Sequence, residues 1–161
     1  MCAQAAPLPP PPPLVRLLGR ALDVLSERLH EQLVAAGFDD HRMSHDKVMP
    51  HIPPGGITLA ELSRRAGITK QAMAELVQDL ETKGYLRRRP DPADRRVRII
   101  EFTERGWSAV RTALDGFARV EKELQTRWGH HDFTLLRQML EDVADHTGSG
   151  QGRRDAAEPT T

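Results

Sequence analysis

The sequence predicts a mainly α-helical fold with a small β-ribbon wing, a winged helix-turn-helix module flanked by longer helices. Three observations carry this. Apolar residues recur at spacings of three and four on both flanks of the chain. Between the flanks stand two short helical segments, each opened by a threonine cap and separated by a tight break. Directly after them, residues 84–106 read GYLRRRPDPADRRVRIIEFTERG, with six arginines at 87–98 split by a proline-bearing turn.

Each element follows from local chemistry. Residues 1–13 hold six prolines and form a polyproline-type leader. Leu14, Leu18, Leu22, Leu25, Leu29 and Leu33 then make one apolar helical stripe, and Gly37 ends it. A short helix is predicted from Ser44, closed by Pro50, Pro53 and Pro54. Thr58 caps the next helix, and Glu61 stands where it can return the bond as a capping box; Gly67 stops it. Thr69 caps the second helix of the pair, whose apolar positions are Met73, Leu76, Val77 and Leu80, with Gly84 at its end.

Tyr85–Arg89 and Arg96–Phe102 read as two strands around the PDPAD turn, which Pro90 and Pro92 stiffen. Thr103 caps a long helix with the seam Trp107, Val110, Leu114, Phe117 and Leu124. A last helix is predicted over 132–146, with Phe133, Leu136, Met139, Leu140 and Val143 inward. The division is therefore a leader (1–13), N-terminal helices (14–57), the winged module (58–102), C-terminal helices (103–146) and a loose tail (147–161).

Composition narrows the function. With 161 residues, 39% of them hydrophobic and 29% charged, the chain is a globular domain rather than a disordered one. No apolar run approaches the roughly 20 residues of a membrane span, and the N-terminus lacks a signal-peptide layout, so the expected address is the cytoplasm. The single cysteine, Cys2, excludes an internal disulfide framework. No Gly-rich phosphate loop, G-x-S-x-G elbow or HExxH motif appears, so no catalytic residue and no cofactor is expected.

Charge then points to a partner. Residues 83–98 hold seven basic side chains against two acidic ones, a net +5 in a chain of zero net charge. Such segregation is an electrostatic footprint for a phosphate backbone. On the second helix, the side opposite the apolar stripe carries Gln71, Glu75 and Gln78, with Ala74 leaving room beside them. Gln can bond both N6 and N7 of adenine, and a carboxylate can accept from cytosine N4. Thr69 and Lys70 open that helix, where the positive helix end suits a phosphate. The same residues would also suit a plain wet face; the arginine-rich hairpin favours DNA. Arg89, Arg95, Arg96 and Arg98 are its candidate contacts.

The stretch TLAELSRRAGITKQAMAELVQDLETKGYLRRRPDPADRRVRIIEFTERG resembles the MarR family of winged-helix transcription regulators. The cues are LA and AGITK before the second helix, then LETKGYL, the wing DPADRR as a D-x-R motif, and FTERG; Phe102 stands where the family usually has Leu. The resemblance implies an obligate homodimer whose interleaved N-terminal (14–57, with the hinge) and C-terminal (103–146) helices form a helical dimerisation domain, and an inverted-repeat (palindromic) double-stranded DNA operator. It implies that Arg96 enters the minor groove and that Asp94 braces the wing. It also implies a repressor released by a small molecule, for which the segment FDDHRMSHDKVMPH offers Phe38, Met43, His45 and Met49, a lining suited to an aromatic or phenolic compound.

Two alternatives stay open. His41, His45 and His51 lie near Asp39, Asp40 and Asp46, which admits a metal-responsive regulator, although no metal ligand set is assigned. A winged helix used for protein contact is the other, against which the scarcity of aromatic anchors counts.

Overall fold

A computed structural model describes residues 11–148. The leader and tail lie outside these residues, except for prolines 11–13 and the last turn of the final helix. The described chain is mainly helical. Helix α1 spans Leu14–Ala35, β1 Ile57–Thr58, α2 Leu59–Ala66, α3 Lys70–Thr82, β2 Leu86–Pro90, β3 Arg98–Phe102, α4 Glu104–Trp128 and α5 His130–Gly148. The chain forms two compact units, one ending at Phe117 and the other beginning at Ala118, within α4. Among the described residues, no helix is long and apolar enough to cross a membrane.

The first unit is built around α3. Met73, Val77 and Leu80 are buried together with Leu62 of α2, Ile57 of β1, Leu86 of β2, and Ile100 and Phe102 of β3. Gly67, at φ +65°, closes α2 in the left-handed region that glycine enters without strain. Thr69 then accepts the Ala72 N–H at 3.2 Å and starts α3. The sheet order is β1-β3-β2, so β2 is an edge strand and Pro90 at its end interrupts no inner ladder.

Several elements differ from their local expectation. The predicted helix after Ser44 is instead two 3-10 turns, Met43–Lys47 and Met49–His51, held by His45 N–H to Arg42 O and Val48 N–H to His45 O. Pro50 cannot donate to a longer ladder. The capping box at Thr58 is half made. Thr58 accepts the Glu61 N–H at 3.3 Å, but the Glu61 carboxylate turns to Arg64 and Arg65. Strand β1, too short to read from periodicity, exists because Ile57 and Thr58 pair with Ile100 and Ile99. Gly56 at φ +80° lets the chain enter there, since a Cβ would press on Ile99 and the Ile100 carbonyl.

Glycine and threonine also fix the start of α4. Thr103 Oγ1 accepts the Gly106 N–H at 3.1 Å and lies 2.6 Å from the Gly84 carbonyl, to which it donates. A Cβ on Gly106 would overlap the Tyr85 carbonyl oxygen. The T-x-x-G of FTERG is thus a close contact between α4 and the entry to β2.

The apolar stripes are only partly used within the single chain. Leu29 and Leu33 of α1 are buried, while Leu14 and Leu22 are 63% and 65% exposed. Along α5, Phe133 is buried, whereas Leu136, Met139, Leu140 and Val143, expected inward, are exposed.

Candidate nucleic-acid interface

Helix α3 presents two chemically distinct sides. Its inner side is the wholly buried Met73, Val77 and Leu80. Lys70, Gln71, Glu75 and Gln78 are exposed outward, with Ala74 half-buried between them. The Gln71 amide reaches Glu75 Oε1 only at 3.5 Å, so both keep donors and acceptors for another partner. The Thr69 hydroxyl is committed to its cap at the same helix end.

The wing tip is tied by its own backbone. Asp91 N–H donates to Val97 O at 3.0 Å and Val97 N–H to Asp94 O at 2.9 Å. Asp91 Oδ1 accepts the Ala93 N–H, and Asp94 Oδ1 accepts the Arg96 N–H, each at 2.9 Å. These are Asx-type turns, which aspartate forms because its short carboxylate reaches an amide two residues on.

The structure separates arginines that the sequence pools in one +5 segment. On β2, Arg87 and Arg89 both pair with Glu101, at 2.8 and 2.7 Å, and Arg88 pairs with Glu81 at 3.2 Å. Arg89 also donates to Gly55 O at 3.2 Å. Its cation is engaged, unlike that of the other three wing candidates. Arg95, Arg96 and Arg98 are exposed and have no acidic partner among the described residues. The bond from Arg89, followed by that from Arg87, holds the Glu101 carboxyl below its ordinary range. Glu101 lies just beyond the charge-rich segment 83–98, and nothing local links it to β2. The antiparallel register Arg87↔Glu101 is the signal that reveals it.

The segment offered for a small molecule is largely core. Phe38 and His45 are buried, Met49 packs partly against the core, and Met43 is 53% exposed. Around them runs a polar network. Tyr85 donates to Asp40 Oδ1, and Arg105 donates to the same oxygen at 2.8 Å while its guanidinium lies 4.8 Å from the centre of the Tyr85 ring. Burial, then the Asp40 bond, pushes the Tyr85 hydroxyl up to about 12. His41 and His45 meet edge to face at 5.1 Å. Burial, with His45 and His30 adding charge repulsion, pulls His41 down to about 4. Among the described residues, no three His, Cys, Asp or Glu side chains stand together as a metal-binding group. A bond not foreseen from sequence joins His45 to Asp79 of α3 at 2.8 Å.

Comparison with known proteins places this geometry. Residues 51–97 match the model of the MarR family. The transcriptional regulator HosA of Escherichia coli O111:H- is 31% identical over 85 residues, 53% of this chain and 63% of that protein, so the match spans less than two thirds of HosA. The HTH-type transcriptional regulator PecS of Dickeya dadantii (strain 3937) is 27% identical over 131 residues, 81% of this chain and 75% of PecS. Among solved structures, a crystal structure of MarR superposes with a TM-score of 0.68 at 25% identity, covering 86% of this chain and 99% of that one. The transcriptional repressor CouR, bound to a 23-mer DNA duplex, superposes with a TM-score of 0.64 at 24% identity, covering 82% and 92%. At that identity the likeness to CouR concerns the fold. The matched proteins are transcriptional regulators, not enzymes.

Proposed function

We propose that this chain, which belongs to the MarR family of transcriptional regulators, is a cytoplasmic, ligand-released repressor that binds an inverted-repeat operator as a homodimer. In this reading α3 lies in the major groove, with Gln71, Glu75 and Gln78 reading base edges and Lys70 on a phosphate. Arg96 enters the minor groove, braced by Asp94, while Arg95 and Arg98 contact the backbone.

The observation that carries the reading is the division of the wing cations. The β2 arginines are paired with Glu101 and Glu81, whereas the tip arginines stand exposed, with no acidic partner among the described residues, beside a turn that four backbone-directed bonds hold. Unpaired cations on a preorganised turn suit a polyanion. CouR, of the same fold, is bound to a DNA duplex, which supports the same partner here.

Dimerisation would cover the exposed apolar side chains of α1 and α5, and the two copies of α3 would then meet half-sites about one helical turn apart or a small multiple of that. An aromatic or phenolic effector contacting Phe38, Met43, His45 and Met49 would have to displace part of the segment 38–51, because Phe38 and His45 are buried. By linkage, an effector that loosens the operator must itself bind less tightly to the operator complex.

The test is a random-duplex selection with the full chain, followed by a salt titration on the enriched sequence. Recovery of a palindrome whose affinity falls steeply with salt supports the reading. Enrichment of no sequence rejects it.

A further inference from the structure

His45 is wholly buried, yet it bonds in two directions. Its Nδ1 accepts the Arg42 N–H at 3.0 Å, at the start of the turn Met43–Lys47. Its Nε2 lies 2.8 Å from Asp79 Oδ2 on α3. Together these contacts admit one protonation state. A nitrogen that accepts an N–H must be bare, and a nitrogen against a carboxylate must carry the proton, so the ring is the neutral Nε2–H tautomer.

Asp79 sits on the flank of α3 that continues from Glu75 and Gln78. The buried Met73, Val77 and Leu80 hold the helix by its inner side. The bond to His45 holds this flank to the segment 38–51, thirty-four residues earlier. We propose that His45 is a positioning residue for operator reading, bridging Asp79 of α3 to the Arg42 amide of the 38–51 segment only while its imidazole is neutral. This rests on the assignment of α3 as the DNA-reading helix.

The surroundings oppose a charged ring. Beside its own turn the Arg42 guanidinium, and just past the end of α3 the Lys83 ammonium, face Asp79 at 3.9 and 2.5 Å, and so stand close to His45 as well. The His41 ring lies edge-on at 5.1 Å, and His41 in turn feels His30 of α1 and Asp40. Asp46 lies 3.7 Å from His41. Among these groups Asp79 is the one bonded to His45 that favours its cation. A proton on Nδ1 would meet the Arg42 N–H donor to donor, so the imidazolium must break that cap or turn away from Asp79. Burial pulls His45 below its ordinary value; the Asp79 bond opposes this, and Lys83 and Arg42 reinforce it.

The experiment uses the full chain and the selected duplex. Fluorescence anisotropy gives Kd from about pH 8 to about pH 4.5 at fixed ionic strength, with circular dichroism at each pH reporting the fold. The native chain should lose affinity on the acid side, approaching about tenfold per pH unit for each His45 that must shed a proton, before helicity is lost. His45→Gln keeps an uncharged donor toward Asp79, and its acid-side loss should be abolished relative to its own affinity at high pH. Asp79→Asn removes the charge that favours the imidazolium, so its loss should move to lower pH.

Nitrogen-15 NMR of the histidine rings in the native chain should show His45 as the Nε2–H tautomer. If His45→Gln fails to fold, the Asp79→Asn profile and the ring tautomer still decide. An unchanged acid profile in the variants, or an Nδ1–H tautomer, overturns the tie while leaving the DNA reading intact. Failure of the native chain to bind any duplex at high pH overturns both.

Discussion

Asp94 Oδ1 accepts the backbone N–H of Arg96 at 2.9 Å, so the carboxylate restrains the residue whose side chain leaves the wing tip. Arg96→Ala should weaken operator binding by about 1–3 kcal/mol with dimerisation unchanged. Asp94→Ala should cost roughly 1 kcal/mol through a looser tip. Anisotropy and sedimentation velocity measure the two quantities, and native affinity in Arg96→Ala would remove that residue from the groove.

Glu101 holds Arg87 and Arg89 at 2.8 and 2.7 Å. Glu101→Gln should release both toward phosphates and steepen the dependence of log affinity on log salt by about 1–2. A slope equal to that of the native chain would mean that β2 does not face DNA.

Alanine in place of a helical glycine ordinarily stabilises by about 1 kcal/mol. At Gly106 the sign should reverse, because the new Cβ would overlap the Tyr85 carbonyl oxygen and press on Phe102. Gly106→Ala should destabilise by roughly 1–3 kcal/mol in urea unfolding. A stabilised variant would show that α4 can draw back from β2 without cost.

His41 is buried, its Nδ1 has no hydrogen-bond partner among the described residues, and burial pulls it from 6.5 down to about 4. Below 6.5 the unfolded chain therefore binds more protons than the folded one. The stabilising contribution of the neutral ring is complete above that value and is lost as pH falls toward about 4. The loss is at most about 3 kcal/mol. Urea unfolding across this range should show the fall, and His41→Phe, which sacrifices no bond to Nδ1, should flatten it. Equal slopes in the two proteins would place the acid sensitivity elsewhere.

Leu136 and Met139 of α5 are 38% and 54% exposed. If they pack against a second copy, Leu136→Glu with Met139→Glu should weaken self-association by at least roughly 3 kcal/mol, more than a hundredfold. Sedimentation velocity should then show monomer where the native chain is dimeric. A dimer of undiminished strength would move the interface off this face of α5.

The sequence by itself determined the features whose causes lie within a few residues. Thr69 caps α3 because its hydroxyl reaches an amide three residues on, and Gly67 ends α2 because the chain needs a left-handed residue there. The spacing of Met73, Val77 and Leu80 settles which side of α3 is inward, and the PDPAD turn folds β2 back on β3. Tertiary structure decided which charges remain available. Arg89 and Arg96 look alike in sequence, but only the strand register brings Glu101 against Arg89 and leaves Arg96 with no acidic partner among the described residues. It also decided that His45 meets Asp79, thirty-four residues away. Caps and periodicity are local bonds that the chain makes wherever it folds. An ion pair or a buried imidazole takes whichever partner the folded backbone brings within about 3 Å, and that choice exists only once distant segments have met.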